Sequence, residues 1–204
     1  MQQLKRAVVL VAILGLGMAA GLVVAGRLSI TGPSDATPVP PQSIPGAVRP
    51  AVGGPLPDLS SVADGTVACI YSLNVLEHIE DDTAIVRELR RKLKPGGKLL
   101  IYVPAFQVLY SSMDRKVGHF RRYRLGPLCA LLKSAQFEVQ DARYVDSLGF
   151  LATLVFKLID KGSGEINVGM LKLYDRAVFP LSRLLDLLLG RVGGKNLFVV
   201  ATRT

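Results

Sequence analysis

Two short stretches of this chain hold side chains capable of acid–base chemistry. In LNVLEHIEDD (73–82) an apolar run stops at Asn74 and is followed by Glu77, His78 and a cluster of acids. In MDRKVGHFRRY (113–123) Asp114, His119, Arg121, Arg122 and Tyr123 lie close together. An imidazole titrates near neutrality, so His119 is the natural general acid/base, with Asp114 able to orient its ring. Arg121 and Arg122 have the planar forks that clamp a carboxylate or phosphate, and Tyr123 can stack or donate a hydrogen bond. The plainer reading of the same residues is a solvated basic loop and, for Asp82, a helix N-cap.

The elements around these stretches give them a common address. TVACIYSL (66–73) is a short continuous apolar run, as expected of a strand buried on both faces of a parallel sheet. DDTAIVRELRRKLK (81–94) places Ile85, Val86, Leu89 and Leu93 on one helical face and gathers Arg90, Arg91, Lys92 and Lys94 where cations favour the helix dipole. PGG (95–97) predicts a turn, KLLIYV (98–103) a second buried strand, Pro127 the start of a helix, and FEVQDARYV (137–145) a third strand. Helical stretches over 147–160 and 168–190, the latter bent or interrupted at Pro180, precede a last strand over 197–203. Strands alternating with helices predict an α/β fold, in which ligands sit beyond the carboxyl ends of the parallel strands. Asn74, Glu77 and His78 leave one such end and the 105–124 loop leaves the other, so both should face one crevice.

Residues 7–26, AVVLVAILGLGMAAGLVVAG, carry no charge, follow Lys5 and Arg6, and have the length of a bilayer-spanning helix. The next stretch is interleaved with prolines and small residues as far as Pro57, which predicts an extended linker. The resulting division is a hydrophobic segment over 1–30, a linker over 31–57 and a folded domain over 58–204. The net charge of +9 suits phosphate- or carboxylate-bearing partners. No aromatic interleaving of a nucleic-acid module accompanies it, so no nucleic acid is expected. Cys69 and Cys129 sit in apolar runs and read as small buried hydrophobes, and no Cys/His set has zinc-site spacing, so no metal is expected.

In order, NVLEHIEDD, LRRKLKPGGKLLIYVPAF and LYSSMDRKVGHFRRY resemble the class I S-adenosylmethionine-dependent methyltransferases of the bacterial small-molecule type. The resemblance covers roughly 57–203. It implies a Rossmann-like, three-layer αβα methyltransferase sheet in which 66–73 and 98–103 are the fourth and fifth strands and 197–203 runs antiparallel to its neighbours. It places Asn74, Val75, Leu76, Glu77 and His78 against the cofactor, S-adenosylmethionine, and Gly118 to Tyr123 beside the acceptor. It makes His119 the first candidate for the base and His78 the second.

The family's N-terminal glycine loop has one counterpart here, degenerate at best. Gly15 and Gly17 begin it and Asp35 follows, but Val11 stands where an acid is expected. Two expectations follow for this region. It is an N-terminal hydrophobic helix associated with a membrane, on a sheet incomplete at its N-terminal strands, or it is an eroded cofactor loop on the first strand of a cytoplasmic protein. For function, the leading expectation is methyl transfer to a small or lipid-like acceptor. The alternative is a non-catalytic, membrane-tethered relic acting as a binding or scaffold protein.

Overall fold

The computed structural model describes residues 8–12, 59–159 and 168–204. Five strands form one mixed sheet: β1 (Val8–Ala12), β2 (Val67–Leu73), β3 (Leu93–Pro104), β4 (Phe137–Val145) and β5 (Asn196–Arg203), in the order β1-β2-β3-β5-β4. The first three are parallel, whereas β5 runs antiparallel to both β3 and β4. The carboxyl ends of β2, β3 and β4 therefore share one edge of the sheet. This is the antiparallel last strand that the resemblance implied.

β1 corrects the expectation of a hydrophobic helix at the N-terminus. Val8 to Ala12 pair in parallel with Cys69 to Leu73, so this part of the apolar run is a sheet strand. A run without polar residues has no period, and sequence pattern alone does not separate a buried strand from a buried helix. Among the described residues no helix is long and apolar enough to cross a membrane. Gly15, Gly17, Asp35 and the 31–57 stretch lie outside the described residues.

The helices form where periodicity placed them, with shifted ends. α1 (Asp82–Lys92) buries Ile85, Val86 and Leu89, each worth about 1.5–3 kcal/mol of apolar burial. Its N-cap is Asp81, which accepts from the Ala84 amide at 2.8 Å, rather than Asp82. Its carboxyl end is closed from β5: the Arg203 guanidinium donates to the carbonyls of Arg90, Arg91 and Leu93. The turn expected at PGG (95–97) is a bulge inside β3, which begins at Leu93: Gly96 takes a positive φ of 72° and the pairing with β2 passes from Val67↔Leu93 directly to Cys69↔Lys98. Gly97 is needed there because a Cβ would lie 2.8 Å from the Lys94 carbonyl oxygen.

After β3 come the short α2 (Ser112–Lys116) and α3 (Leu125–Ser134), which buries Leu128 and Leu132. α4 (Ser147–Ile159), α5 (Val168–Leu173) and α6 (Phe179–Leu189) follow β4. A π-helical turn over Tyr174–Val178 separates α5 from α6, so the interruption precedes Pro180, which sits in the first turn of α6. Ile70, Leu99, Ile101, Leu197 and Val199 form the centre of the core. Cys69 and Cys129 are free and half-buried.

Candidate active site

β2 ends in a change of hand. Asn74 takes a positive φ of 51°, which asparagine tolerates better than most side chains, and its amide donates to the Tyr102 carbonyl on β3 at 2.8 Å. The chain then turns inward, and a single 3-10 turn over Leu76–His78 buries Leu76, Glu77 and His78. Of the residues expected against the cofactor, Asn74 is exposed while Val75, Leu76 and Glu77 are buried. Asn74 is thus the one whose side chain is free to meet a ligand.

The second loop is stitched onto the first by backbone bonds. The Phe120 amide donates to the Glu77 carbonyl at 2.8 Å, and at the end of β3 the Phe106 amide donates to the Tyr123 carbonyl while the Tyr123 amide donates to the Pro104 carbonyl. Tyr110 donates through its hydroxyl to the His119 carbonyl at 2.7 Å. The convergence expected of the two loops is therefore met: the rings of His78 and His119 stand 4.6 Å apart, edge to face.

Asp114 organises the second loop. It is 1% exposed, receives the His119 Nδ1–H at 2.8 Å, and is held in a fork by Arg122 at 2.8 and 3.0 Å, with the Ser111 amide at 2.9 Å as a further donor. Burial alone would raise this carboxyl, but the His119 and Arg122 bonds outweigh it and hold it down at about 2. An ionised Asp114 fixes the His119 tautomer, because Nδ1 must carry the proton. Nε2 is left as a bare lone pair 3.8 Å from Glu77 Oε1.

Glu77 is the opposite case. It is fully buried, and neither carboxyl oxygen has a hydrogen-bond partner. Burial pushes it up to about 8, against the smaller pull of a backbone bond and of Arg122. His78 is buried as well; desolvation, then the neighbouring His119, lowers its basicity, and its Nδ1 has no partner. Among the described residues, Glu77, His78 and His119 form a group able to hold a metal ion, with one ligand atom from each lying within 4.8 Å of the others.

The remaining candidates face inward. Arg121 pairs with Asp82 at 2.8 Å and with the Glu80 carbonyl, and Arg122 is occupied by Asp114, so the carboxylates that these forks clamp are the chain's own. The Tyr123 hydroxyl reaches the Leu76 carbonyl and Asp82. An open pocket of about 450 Å³ is lined by Asp82, Gln107, Arg121 and Leu131 among others, and none of Glu77, His78 and His119 lines it.

Two residues of this region escaped the sequence reading. Gln107 accepts from the Arg122 amide at 3.0 Å. Lys195 is desolvated enough to lower its amine, which lies 5.9 Å from the Tyr174 ring centre. Neither carries a local signal, since each acquires its role from partners distant in sequence.

Comparison with known proteins decides the family. A family model described as a methyltransferase domain matches residues 39–142, half of the chain. The chain belongs to the methyltransferase domain family. Its cofactor is S-adenosylmethionine. A ubiquinone biosynthesis O-methyltransferase of Xanthomonas oryzae is 28% identical over 97 residues, 41% of either chain. A probable S-adenosylmethionine-dependent methyltransferase of Mycolicibacterium smegmatis is 34% identical over 89 residues, 43% of this chain and 32% of that one. The matches thus span about two fifths or less of these curated relatives. Among solved structures, a SAM-dependent methyltransferase from Archaeoglobus fulgidus aligns at a TM-score of 0.46 with 15% identity, covering 77% of this chain and 67% of that one.

Proposed function

We propose that this methyltransferase domain transfers a methyl group to an oxygen atom of a small or lipid-like acceptor, and that the two loops at the carboxyl edge of the sheet are where the acceptor reacts. The name of the Xanthomonas relative supports oxygen as the acceptor atom. One observation carries the reading: an ionised Asp114 holds His119 with its Nε2 lone pair aimed at a cluster of otherwise unpartnered groups. A folded chain does not leave such groups buried together without a use for them.

When bound, S-adenosylmethionine supplies a methyl whose carbon–sulfur bond breaks as the acceptor's lone pair forms the new bond, the old electron pair staying on sulfur. Asn74 lines the cofactor side, with Gly15 and Gly17 of the sequence motif assigned to the same role in a three-layer Rossmann-like domain. His119 Nε2 takes the acceptor's proton when no other ligand occupies it, and Asp114 stabilises the imidazolium that results. His78 shapes the wall. Arg121, Arg122 and Tyr123 set the acceptor side by fixing the loop, acting through Asp82 and Asp114.

Calorimetric titration of the full chain with S-adenosylmethionine and its demethylated product tests the assignment. Micromolar binding is expected; no binding by a folded chain overturns it in favour of a non-catalytic binding protein. His119→Ala should reduce turnover about 100-fold or more in metal-free buffer.

A further inference from the structure

Glu77 is the least explained group in the molecule. It is an enclosed carboxyl neither of whose oxygens has a side-chain donor within hydrogen-bond distance, which costs the folded chain the desolvation of that group. Facing it are two imidazoles with free lone pairs. His119 Nε2 is bare because Nδ1 is committed to Asp114, and His78 Nδ1 is without a partner while the Gly118 carbonyl engages the same ring. His119 is thus fixed through its other nitrogen by the Asp114 carboxylate. Such outer partners orient metal-ligating histidines. A substrate oxygen alone would leave most of these lone pairs unused, whereas a cation uses one from each.

We propose that Glu77, His78 and His119 bind a divalent first-row cation through one carboxylate and two imidazoles, leaving coordination positions open for the acceptor oxygen. Two imidazoles and a carboxylate favour zinc, iron or manganese over the hard, all-oxygen ions. Bond lengths of about 2.0–2.2 Å place tetrahedral ligand atoms about 3.5 Å apart, so the ligand atoms, now within 4.8 Å of one another, close inward on loading. Spacing along the chain suggested no metal because His119 comes from the other loop and joins the pair through the Phe120–Glu77 backbone bond. What the ion does rests on the methyl-transfer reading: it polarises the acceptor hydroxyl, whose proton passes to solvent, and the His119 lone pair then serves the ion instead of the proton. Whether the ion binds does not rest on that reading.

The test uses the untagged full chain, stripped with a chelator and titrated with Zn²⁺ by calorimetry and with Mn²⁺ by electron paramagnetic resonance, with Glu77→Gln and His119→Asn as variants and S-adenosylmethionine binding measured in parallel. One ion per chain at micromolar or tighter affinity is expected, weakened at least 100-fold in both variants while their far-UV dichroism is unchanged. No binding by the wild-type chain at millimolar metal, or equal binding by wild type and both variants, overturns the proposal even if S-adenosylmethionine binds. Ion binding that depends on both residues supports the metal site even if S-adenosylmethionine does not bind, a result that would sink the methyl-transfer reading alone.

Discussion

Glu77 and Asp146 are both enclosed carboxyls at the same edge of one sheet, the first just beyond β2 and the second just beyond β4, and their surroundings could hardly differ more. Asp146 accepts from the Tyr174 and Ser182 hydroxyls and from the Gly149 amide, and its own amide is taken up by Asp186 at 2.7 Å. Asp186 in turn receives the Ser147 amide at 2.8 Å. Every donor there comes from the chain, and the result is a joint that ties α4 and α6 to the end of β4. Neither Glu77 oxygen has a side-chain donor within hydrogen-bond distance, His119 Nε2 standing 3.8 Å away. A buried carboxyl supplied with several donors holds the fold together, whereas one without them stores free energy that a ligand can release. Asp114 stands between them, supplied with donors like Asp146 but passing its charge on to His119.

Substitutions at these three acids test the contrast. Asp114→Ala leaves Arg122 buried without its partner and His119 without an orienting group, and should cost about 3–5 kcal/mol in urea unfolding. A loss under about 1 kcal/mol would mean that the Arg122 fork does not hold the loop. Glu77→Gln should act in the other direction. The unfolded carboxyl ionises near pH 4 while the folded one keeps its proton up to about 8, so unfolding releases a proton across that window and stability falls as pH rises through it. Removing the group should therefore stabilise the metal-free chain by about 2–4 kcal/mol at pH 8 and by little at pH 4. A Glu77→Gln chain less stable than wild type at pH 8 would show that the carboxyl has a partner after all.

Asp146→Ala comes next, with an expected loss of about 2–3 kcal/mol as the hydroxyls of Tyr174 and Ser182 lose their acceptor; a neutral result would erase the comparison from the other side. The smallest effect is the acid limb of wild-type stability. Because the folded Asp114 carboxyl lies at about 2, below its unfolded value, its contribution is fully present above about pH 4 and is lost as pH falls through 2. That contribution amounts to about 2 kcal/mol and should be missing from the pH profile of Asp114→Ala.

Much of this arrangement is legible in the residues. Ile85, Val86 and Leu89 recur at helical spacing, and α1 buries those three. The runs at 66–73, 98–103 and 197–203, and the more polar 137–145, became strands because they are short, rich in branched and aromatic side chains, and bounded by turn formers. Val8 to Ala12 read either as part of a membrane helix or as the first strand under an eroded cofactor loop, because an apolar run without alternation is compatible with both, and the neighbour that decides, β2, lies far along the chain. The break before α6 lies at Tyr174–Val178 instead of at Pro180 because proline is well tolerated in a first helical turn.

The amino-acid sequence by itself determined the class of fold, the edge at which polar loops leave the strands, and the residue types able to do chemistry there, since these follow from periodicity, turn chemistry and the order of strands. Tertiary structure alone decided which of those groups are satisfied. Arg121 and Arg122 found carboxylates within the chain, Asp114 was held ionised, and Glu77 was enclosed with nothing to accept from. Hydrogen-bond satisfaction is a property of three-dimensional neighbours, and the partners that settle it here come from separate loops brought together by the packing of parallel strands.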